Sequence, residues 1–374
     1  MRGNIAKRPS NKWRARYRDA SGREHARHFD RKIDAERWLS EITAARVTGN
    51  YVDPGAGRAS FAGFYADWSQ NQIWASTTRR AMDLAASSVT FGDMPLGRIR
   101  RSHVEQWIKS MEMGSSPFKR PLAAGTIHTR VNNVRAVLCA AVADRLIATD
   151  PSDGVRLPRR RRASATMAIP SPAQVGALLE HAPSPFRPFV ALCAFAGLRL
   201  GEAAALQVGD VDFLARKITV NRQVQRGEGG AVQLSLPKYS SERHVFAPPS
   251  LLDLLAEHVQ ALGASGTDWL FTGSQPSTPP HQNTIGHRWR ETVKAAGLSG
   301  FTLHHLRHFY ASGLIAAGCD VVTVQRALGH ASASTTLQTY AHLWPTAEDK
   351  TRAAAEELFA ASTNVLTAEP VIGA

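Results

Sequence analysis

Residues 302–342 read TLHHLRHFYASGLIAAGCDVVTVQRALGHASASTTLQTYAH. Thr302 is a candidate N-cap for a helix running to about residue 317. Residues three apart lie on one helical face, so His304 and Arg307 point the same way. A second helix is expected over 320–328, after which the Leu328-Gly329 turn presents His330. Tyr340 follows ten residues later, alone in Thr335-Thr-Leu-Gln-Thr-Tyr340-Ala-His342. Two imidazoles, a guanidinium and a phenol carried by short helices imply a mostly α-helical domain with chemistry to perform.

The rest of the last segment, from about Ala168, agrees with that assignment. Further helices are expected at 249–262, 283–296 and 346–360. A small antiparallel sheet is expected from Phe213 to Val220, Val232 to Pro237 and Arg243 to Ala247. Arg199 lies in Gly197-Leu-Arg-Leu-Gly-Glu202, where a carboxylate three residues on can orient its guanidinium. Lys238 lies in LPKYSSERHVF, at the tip of the predicted strand pair, where a mobile cation can reach a ligand. No internal repeat is visible.

Ahead of this domain the chain changes character. Its 374 residues are too many for one ordinary core, and 43% hydrophobic with 20% charged residues marks a folded chain. The formal charge of +14 is unevenly spread: residues 1–58 carry net +7, residues 59–158 net +4, Arg159 to Arg162 add four, and residues 163–374 carry net −1. A surplus confined to the first half fits a polyanion, because each phosphate neutralised by Lys or Arg releases counterions.

In residues 1–58, Trp13, Ala15 and Tyr17 alternate with Arg14, Arg16 and Arg18, giving a strand with one apolar and one cationic face. A turn at Asp19–Gly22 leads to a second strand, Arg23 to Phe29, and Ile5 to Arg8 supplies a third. Asp30 is a candidate N-cap for a helix reaching Val47, with Ile33, Trp38, Leu39 and Ile42 as its buried stripe. This small α+β module suits a nucleic-acid groove, although such a sheet face can be merely solvated. Residues 59–155 read as all-helical, with segments near 60–72, 76–86, 102–111 and 124–144. Ile127, Val131, Val134, Leu138 and Val142 mark the clearest of them. Residues 156–167, with Arg159, Arg160, Arg161 and Arg162, read as a basic linker that can lie along a duplex or simply be solvated.

Several classes are excluded. The longest apolar run, Phe189 to Leu198, is too short to cross a bilayer, and the first twenty residues are basic and polar, so the expected location is cytoplasmic. Cys139, Cys193 and Cys319 have no ligand-type spacing and read as small core residues rather than a disulfide framework or zinc cluster. His304 and His308 are spaced for a metal, but no acidic ligand lies nearby.

Taken singly, each of these residues has an ordinary role: a helical Tyr is usually core, and an Arg beside a Glu is usually a surface pair. Arg199, Lys238, His304 with Arg307, His330 and Tyr340, in this order and local setting, resemble the Arg, Lys, His-x-x-Arg, His and Tyr set of the tyrosine recombinases. The resemblance spans about Ala168 to Leu358, and the flanking regions are similar to the integrase branch, including integrases of actinobacterial phages and integrative elements. It implies a multidomain fold. An arm-type DNA-binding domain would occupy 1–58, a helical core-binding domain 59–155, a linker 156–167, a catalytic domain 168–362 and a tail 363–374.

The resemblance also implies strand cleavage by Tyr340 through a 3′-phosphotyrosyl link. Arg199 and Arg307 would hold the phosphate oxygens, since guanidinium matches phosphate in two-point geometry. His304 and His330 would donate hydrogen bonds, one of them taking the Tyr340 proton, and Lys238 would protonate the departing 5′ oxygen. Stored bond energy removes any need for ATP, and fixed cations can manage phosphate charge, so no cofactor or metal is expected. Implied partners are double-stranded DNA at core and arm sites, three further copies in a tetramer, a host DNA-bending protein and an excisionase, with no membrane. His305 stands where an acidic residue is common and Gly201 where Ser is common, leaving open what holds Arg199 and His304. The alternatives are a type IB topoisomerase-like enzyme, a DNA-binding regulator that does not cut and a metal-dependent nuclease.

Overall fold

The structure is a computed structural model that describes residues 3–18, 22–47, 51–52, 56–159, 168–237, 241–273, 275, 277–344 and 347–366. It divides into two compact units, Met1–Arg162 and Ala163–Ala374. No helix among the described residues is long and apolar enough to cross a membrane. Arg160, Arg161 and Arg162 of the expected linker lie outside the described residues.

The first unit opens with β1 (Asn4–Lys7), β2 (Trp13–Arg18) and β3 (Glu24–Phe29), an antiparallel sheet in that order, followed by α1 (Lys32–Val47). Successive strand residues face opposite sides, which sends Ala15 and Tyr17 inward. Tyr17 packs on Trp38 of α1 at 5.5 Å between ring centroids. The opposite face carries Arg14, Arg16 and Arg18, with Arg14 and Arg16 both paired to Glu24 at 3.0 and 3.5 Å. Two local expectations change. α1 begins at Lys32, so Arg31, which pairs with Asp34 at 2.8 Å, holds the capping position, and Asp30 instead meets Lys12 at 3.6 Å. Ile33 points to solvent at 58% exposure, while Ala35 takes the buried place on that turn.

α2 (Phe61–Gln70), α3 (Ser76–Ala86), α4 (Arg101–Met113) and α5 (Ala124–Ala143) follow the predicted segments closely. They enclose a core of Phe61, Trp107, Met111, Ile127, Val131, Val134 and Leu138, with Val142 packed at its edge. The Trp107 indole N–H donates to the Ser88 carbonyl at 2.8 Å. This large side chain is therefore buried without an unmet donor. Cys139 is exposed on α5 and Cys319 is half-buried, so of the three cysteines only Cys193 takes the expected core position.

The second unit is mostly helical: α6 (Pro172–His181), α7 (Arg187–Phe195), α8 (Leu200–Ala204), α9 (Pro249–Leu262), α10 (Gln282–Ala295), α11 (Leu303–Ala316), α12 (Val321–Leu328), α13 (Ala333–Tyr340) and α14 (Ala347–Leu366). α7 is buried nearly throughout and forms the centre of the core with Leu178, Leu206, Leu255, Leu270 and Leu306.

Two small sheets stand where one was expected. The predicted strand Phe213–Val220 is divided into β4 (Val211–Asp212) and β5 (Lys217–Val220). The cause is a turn: Asp212 Oδ1 accepts from the Ala215 N–H at 2.7 Å, and Arg216 takes a positive φ of 53°. Asp side chains commonly initiate turns in this way. β6 (Gln223–Arg226), which the sequence pattern did not reveal, pairs with β7 (Val232–Ser235) across a glycine-rich turn. β8 (Arg243–Phe246) joins β5 instead, so β7 and β8 are not a hairpin. Lys238 lies between them, outside the described residues.

Candidate active site

Three segments of the second unit converge on the carboxyl end of α12. The first is the turn after α7. Gly197 has φ +62°, and a Cβ there would meet the Tyr310 ring at 2.4 Å. Only glycine suits both the backbone and the space. Arg199 then occupies the capping position of α8. Its backbone N–H donates to Glu202 Oε2 at 2.9 Å and its Nη1 to Glu202 Oε1 at 2.6 Å, the orientation expected from the i,i+3 spacing. Gly201 has a local reason: a Cβ would stand 2.6 Å from the Val224 carbonyl oxygen of β6.

Glu202 is fully buried and also accepts from Arg243 of β8, at 3.2 Å from Nη1 and 2.9 Å from Nη2. Burial alone would raise its pKa, but hydrogen bonds and charge from Arg243 and then Arg199 hold it down to about 2. The carboxylate is therefore ionised and shared between two guanidinium groups.

The second segment is α11. His305 Nδ1 accepts from the Thr302 N–H at 3.1 Å. It thereby supplies at the helix start the acceptor that an acidic residue would otherwise give. Arg307 is only 1% exposed; its Nη1 donates to the Gly197 carbonyl at 2.5 Å and its Nη2 to the Leu328 carbonyl. Arg199 Nη2 donates to the Gly329 carbonyl at 3.0 Å and Arg243 Nε to that of Ala327 at 3.1 Å. Three successive carbonyls ending α12 thus each receive a different arginine, where a helix leaves acceptors unmet and concentrates partial negative charge. A guanidinium has five donors, so Arg307 keeps others for the cleft. Burial, then Arg199, lowers its pKa to about 9, which leaves it a cation at neutral pH.

The third segment runs from this helix end to Tyr340. Gly329 closes α12 with φ +61°, and a Cβ there would collide with Arg243 Cδ at 2.9 Å. The His330 N–H donates to the Gln325 carbonyl at 3.1 Å, and its Nδ1 meets Thr336 Oγ1 at 2.8 Å. Tyr340 ends α13, 1% exposed among Ala311, Ile315, Val324 and Leu328. Its hydroxyl lies 2.7 Å from His308 Nδ1, and its ring runs parallel to that of His330 at 6.4 Å between centroids.

Arg199, His304, Arg307, His308, His330 and Tyr340 line one open cleft of about 490 Å³ together with Ala331, Thr335 and Thr339. Five of the six sequence-predicted residues are therefore together; Lys238 is outside the described residues. His308 joins them although the sequence suggests it only as a metal partner of His304. Its position four residues on, hence on the same helical face, is the available signal. Arg243 carries no such signal.

The electrostatics separate fixed from mobile charge. Burial first, then Arg307 and Arg199, lowers the pKa of His330 to about 4, and the same causes in the same order lower that of His304 below its ordinary value. Burial, followed by His304, His305 and Arg307, brings His308 to about 4. Tyr340 rises to about 12 because burial outweighs the nearby arginines. Neutral imidazoles, cationic arginines and a protonated phenol facing one cleft make a site that can receive an anion and attack it with an oxygen nucleophile. Phosphoryl transfer is the class of chemistry this arrangement serves.

Comparison with known proteins agrees. Residues 171–346 match the phage integrase family, and residues 1–48 match the phage integrase N-terminal domain. A prophage phiRv2 integrase of Mycobacterium tuberculosis is 26% identical over 356 residues, 91% of each chain. Among solved structures, a Tn1549 transposon integrase in complex with a circular intermediate DNA shares the fold with a TM-score of 0.66 at 20% identity, covering 80% of this chain and 99% of that one. A lambda integrase tetramer bound to a Holliday junction does so with a TM-score of 0.53 at 16% identity, covering 89% of this chain and 97% of that one. The chain belongs to the phage integrase family of tyrosine recombinases and is a site-specific recombinase of the tyrosine type.

Proposed function

We propose that this enzyme integrates or excises a mobile element by cutting and rejoining DNA through Tyr340. Arg199 and Arg307 hold the non-bridging oxygens of the scissile phosphate, where negative charge gathers as the pentacoordinate transition state forms. His304 and His330 donate further hydrogen bonds, and Lys238 protonates the departing 5′ oxygen. Attack by Tyr340 yields a 3′-phosphotyrosyl link, and a second 5′-hydroxyl reclaims it without ATP. The observation that carries this reading is the convergence of both arginines, both histidines and Tyr340 on one cleft.

The division of labour follows the charge. Residues 1–58 bind arm-type sites through the Arg14, Arg16 and Arg18 face; residues 59–155 and the Arg159–Arg162 linker grip the core site; residues 168–362 perform the chemistry; residues 363–374 form a tail. The net +7 of residues 1–58 and the strand face opposite Tyr17 support the first assignment. Exchange of two strand pairs calls for four copies on two duplexes, and the lambda integrase neighbour was solved as a tetramer bound to a Holliday junction. α14, with Leu358 and Phe359 exposed, is a candidate contact between copies. The location that suits such work is the bacterial cytoplasm.

The deciding experiment uses a nicked half-site whose short 5′ fragment diffuses away after cleavage, leaving covalent protein–DNA. The parent enzyme should accumulate that species and Tyr340→Phe should not. Covalent capture by the Phe variant removes Tyr340 from the role.

A further inference from the structure

The geometry points to His308 as a further catalytic residue, the acceptor of the Tyr340 hydroxyl proton, an inference that rests on the reading of Tyr340 as nucleophile. Three imidazoles line the cleft, and among the described residues only the His308 contact reaches the tyrosine oxygen. His308 Nδ1 is 2.7 Å from Tyr340 Oη, with the rings inclined at 68°. That separation is typical of a strong hydrogen bond. His330 commits its Nδ1 to Thr336 Oγ1 and lies ring-parallel to Tyr340. His304 packs edge-on against His308 at 4.6 Å between ring centroids. Tyr340 is almost wholly buried, which leaves little room for solvent to take the proton instead.

The step balances on the chain's own groups and the DNA. As Tyr340 Oη forms its bond to phosphorus, its proton passes to His308 Nδ1, making an imidazolium. The bond from phosphorus to the 5′ oxygen then breaks, and that oxygen takes a proton from the general acid, Lys238 in the site proposed above. Religation runs the same transfers backwards: His308 returns its proton to the phenolate leaving group.

The surroundings explain why the base stays idle until DNA arrives. His304, His305 and Arg307 of α11, Arg199 at the start of α8, His330 of the turn after α12 and Tyr340 of α13 surround the imidazole, and no carboxylate is among the described residues lining the cleft. In the free protein these neighbours and burial disfavour a second positive charge on His308, so Tyr340 keeps its proton. A phosphodiester seated against Arg199 and Arg307 brings the missing negative charge, and the dianionic transition state brings more. Deprotonation is thereby tied to the presence of the bond to be cut.

The test compares His308→Asn and His308→Ala in the full-length enzyme on the nicked half-site. Single-turnover cleavage and DNA affinity are measured across pH. An asparagine places an amide near the Nδ1 position and can accept the tyrosine hydrogen bond, but it cannot take up a proton. If His308 is the proton acceptor, both variants cleave about 10²–10⁴-fold more slowly with DNA affinity unchanged. The parent rate should fall toward acid pH as His308 becomes protonated, and that fall should be absent from His308→Asn. Cleavage by His308→Asn at close to the parent rate overturns the assignment, because a hydrogen-bond acceptor alone then suffices. The Asn variant, similar in size and polarity, decides the question even if His308→Ala fails to fold. Tyr340→Phe, run alongside, separates the two readings. An inert Phe variant beside a fully active Asn variant removes only His308, whereas covalent capture by the Phe variant removes both.

Discussion

Replacing Arg243 with Met should destabilise the catalytic unit far more than a typical surface change, although Arg243 is not among the residues lining the cleft. Its side chain is 7% exposed and donates to both oxygens of the fully buried Glu202 and to the Ala327 carbonyl. Removing one partner of a buried ion pair costs about 3–5 kcal/mol, because the remaining charge stays desolvated. Arg199 remains on Glu202 at 2.6 Å. That places the expectation at the lower end for the pair, about 3 kcal/mol. The Ala327 carbonyl left without its donor adds about 1 kcal/mol. A total of about 4 kcal/mol in a unit of this size lowers the melting temperature by about 8–16 °C. Calorimetry and urea titration of Arg243→Met, Glu202→Gln and the double variant measure the effect and its coupling. The double variant should be less destabilised than the sum of the singles by about 1–3 kcal/mol. Cleavage by Arg243→Met should fall more than DNA affinity does, since Arg199 loses a fixed aim through Glu202. A melting temperature within about 2 °C of the parent, with no coupling, would show that the buried network does not carry the stability assigned to it.

Acid should attack the same network: the Glu202 pKa lies below its ordinary 4.5, at about 2, so its stabilisation is complete above about pH 5 and is lost as pH falls toward 2. The slope of stability against pH in that window should flatten in Glu202→Gln. DNA binding should take up protons between about pH 6.5 and 4, because phosphate charge in the cleft raises the depressed pKa values of His304 and His330 toward their ordinary 6.5. Titration calorimetry in buffers of different ionisation enthalpy measures that uptake, and a binding enthalpy independent of buffer contradicts it. At Gly201 a Cβ would meet the Val224 carbonyl oxygen at 2.6 Å. Gly201→Ser should therefore cost about 1–3 kcal/mol by denaturant titration. Lys238→Ala should slow cleavage of ordinary DNA by about 10²–10⁴-fold but spare a substrate with a 5′-bridging sulfur, whose leaving group needs no proton. Equal losses on both substrates would assign Lys238 another task.

What the sequence made legible follows the range of the interactions. α5 was readable because Ile127, Val131, Val134 and Leu138 repeat at helical spacing within one element. The Arg199–Glu202 pair was readable because both partners sit on one helical turn. Contacts across the fold were not. Glu202 and Arg243 are 41 residues apart and His308 and Tyr340 are 32 apart, and no local pattern announces either. The strand pairing failed for the same reason. β7 and β8 are consecutive and looked like a hairpin, but the partner of β7 is β6, reached through Gly229 and Gly230 in positive φ. Gly201 seemed a departure from the family pattern until the carbonyl of β6 appeared beside it.

The carboxyl end of α12 links these features into one device. Arg199, Arg243 and Arg307 would repel one another if gathered in a buried place without compensation. Glu202 supplies one full negative charge, and the carbonyls of Ala327, Leu328 and Gly329 supply the rest as partial charges, one to each guanidinium. The same helix end leads directly into Gly329 and His330, so the cations and the imidazole are registered by a single short stretch of backbone. Because the compensation comes from backbone and a carboxylate behind the cleft, the cleft itself keeps positive potential and neutral, proton-accepting rings. A phosphate entering it meets charge already fixed in place, and the protons are the only charges left to move.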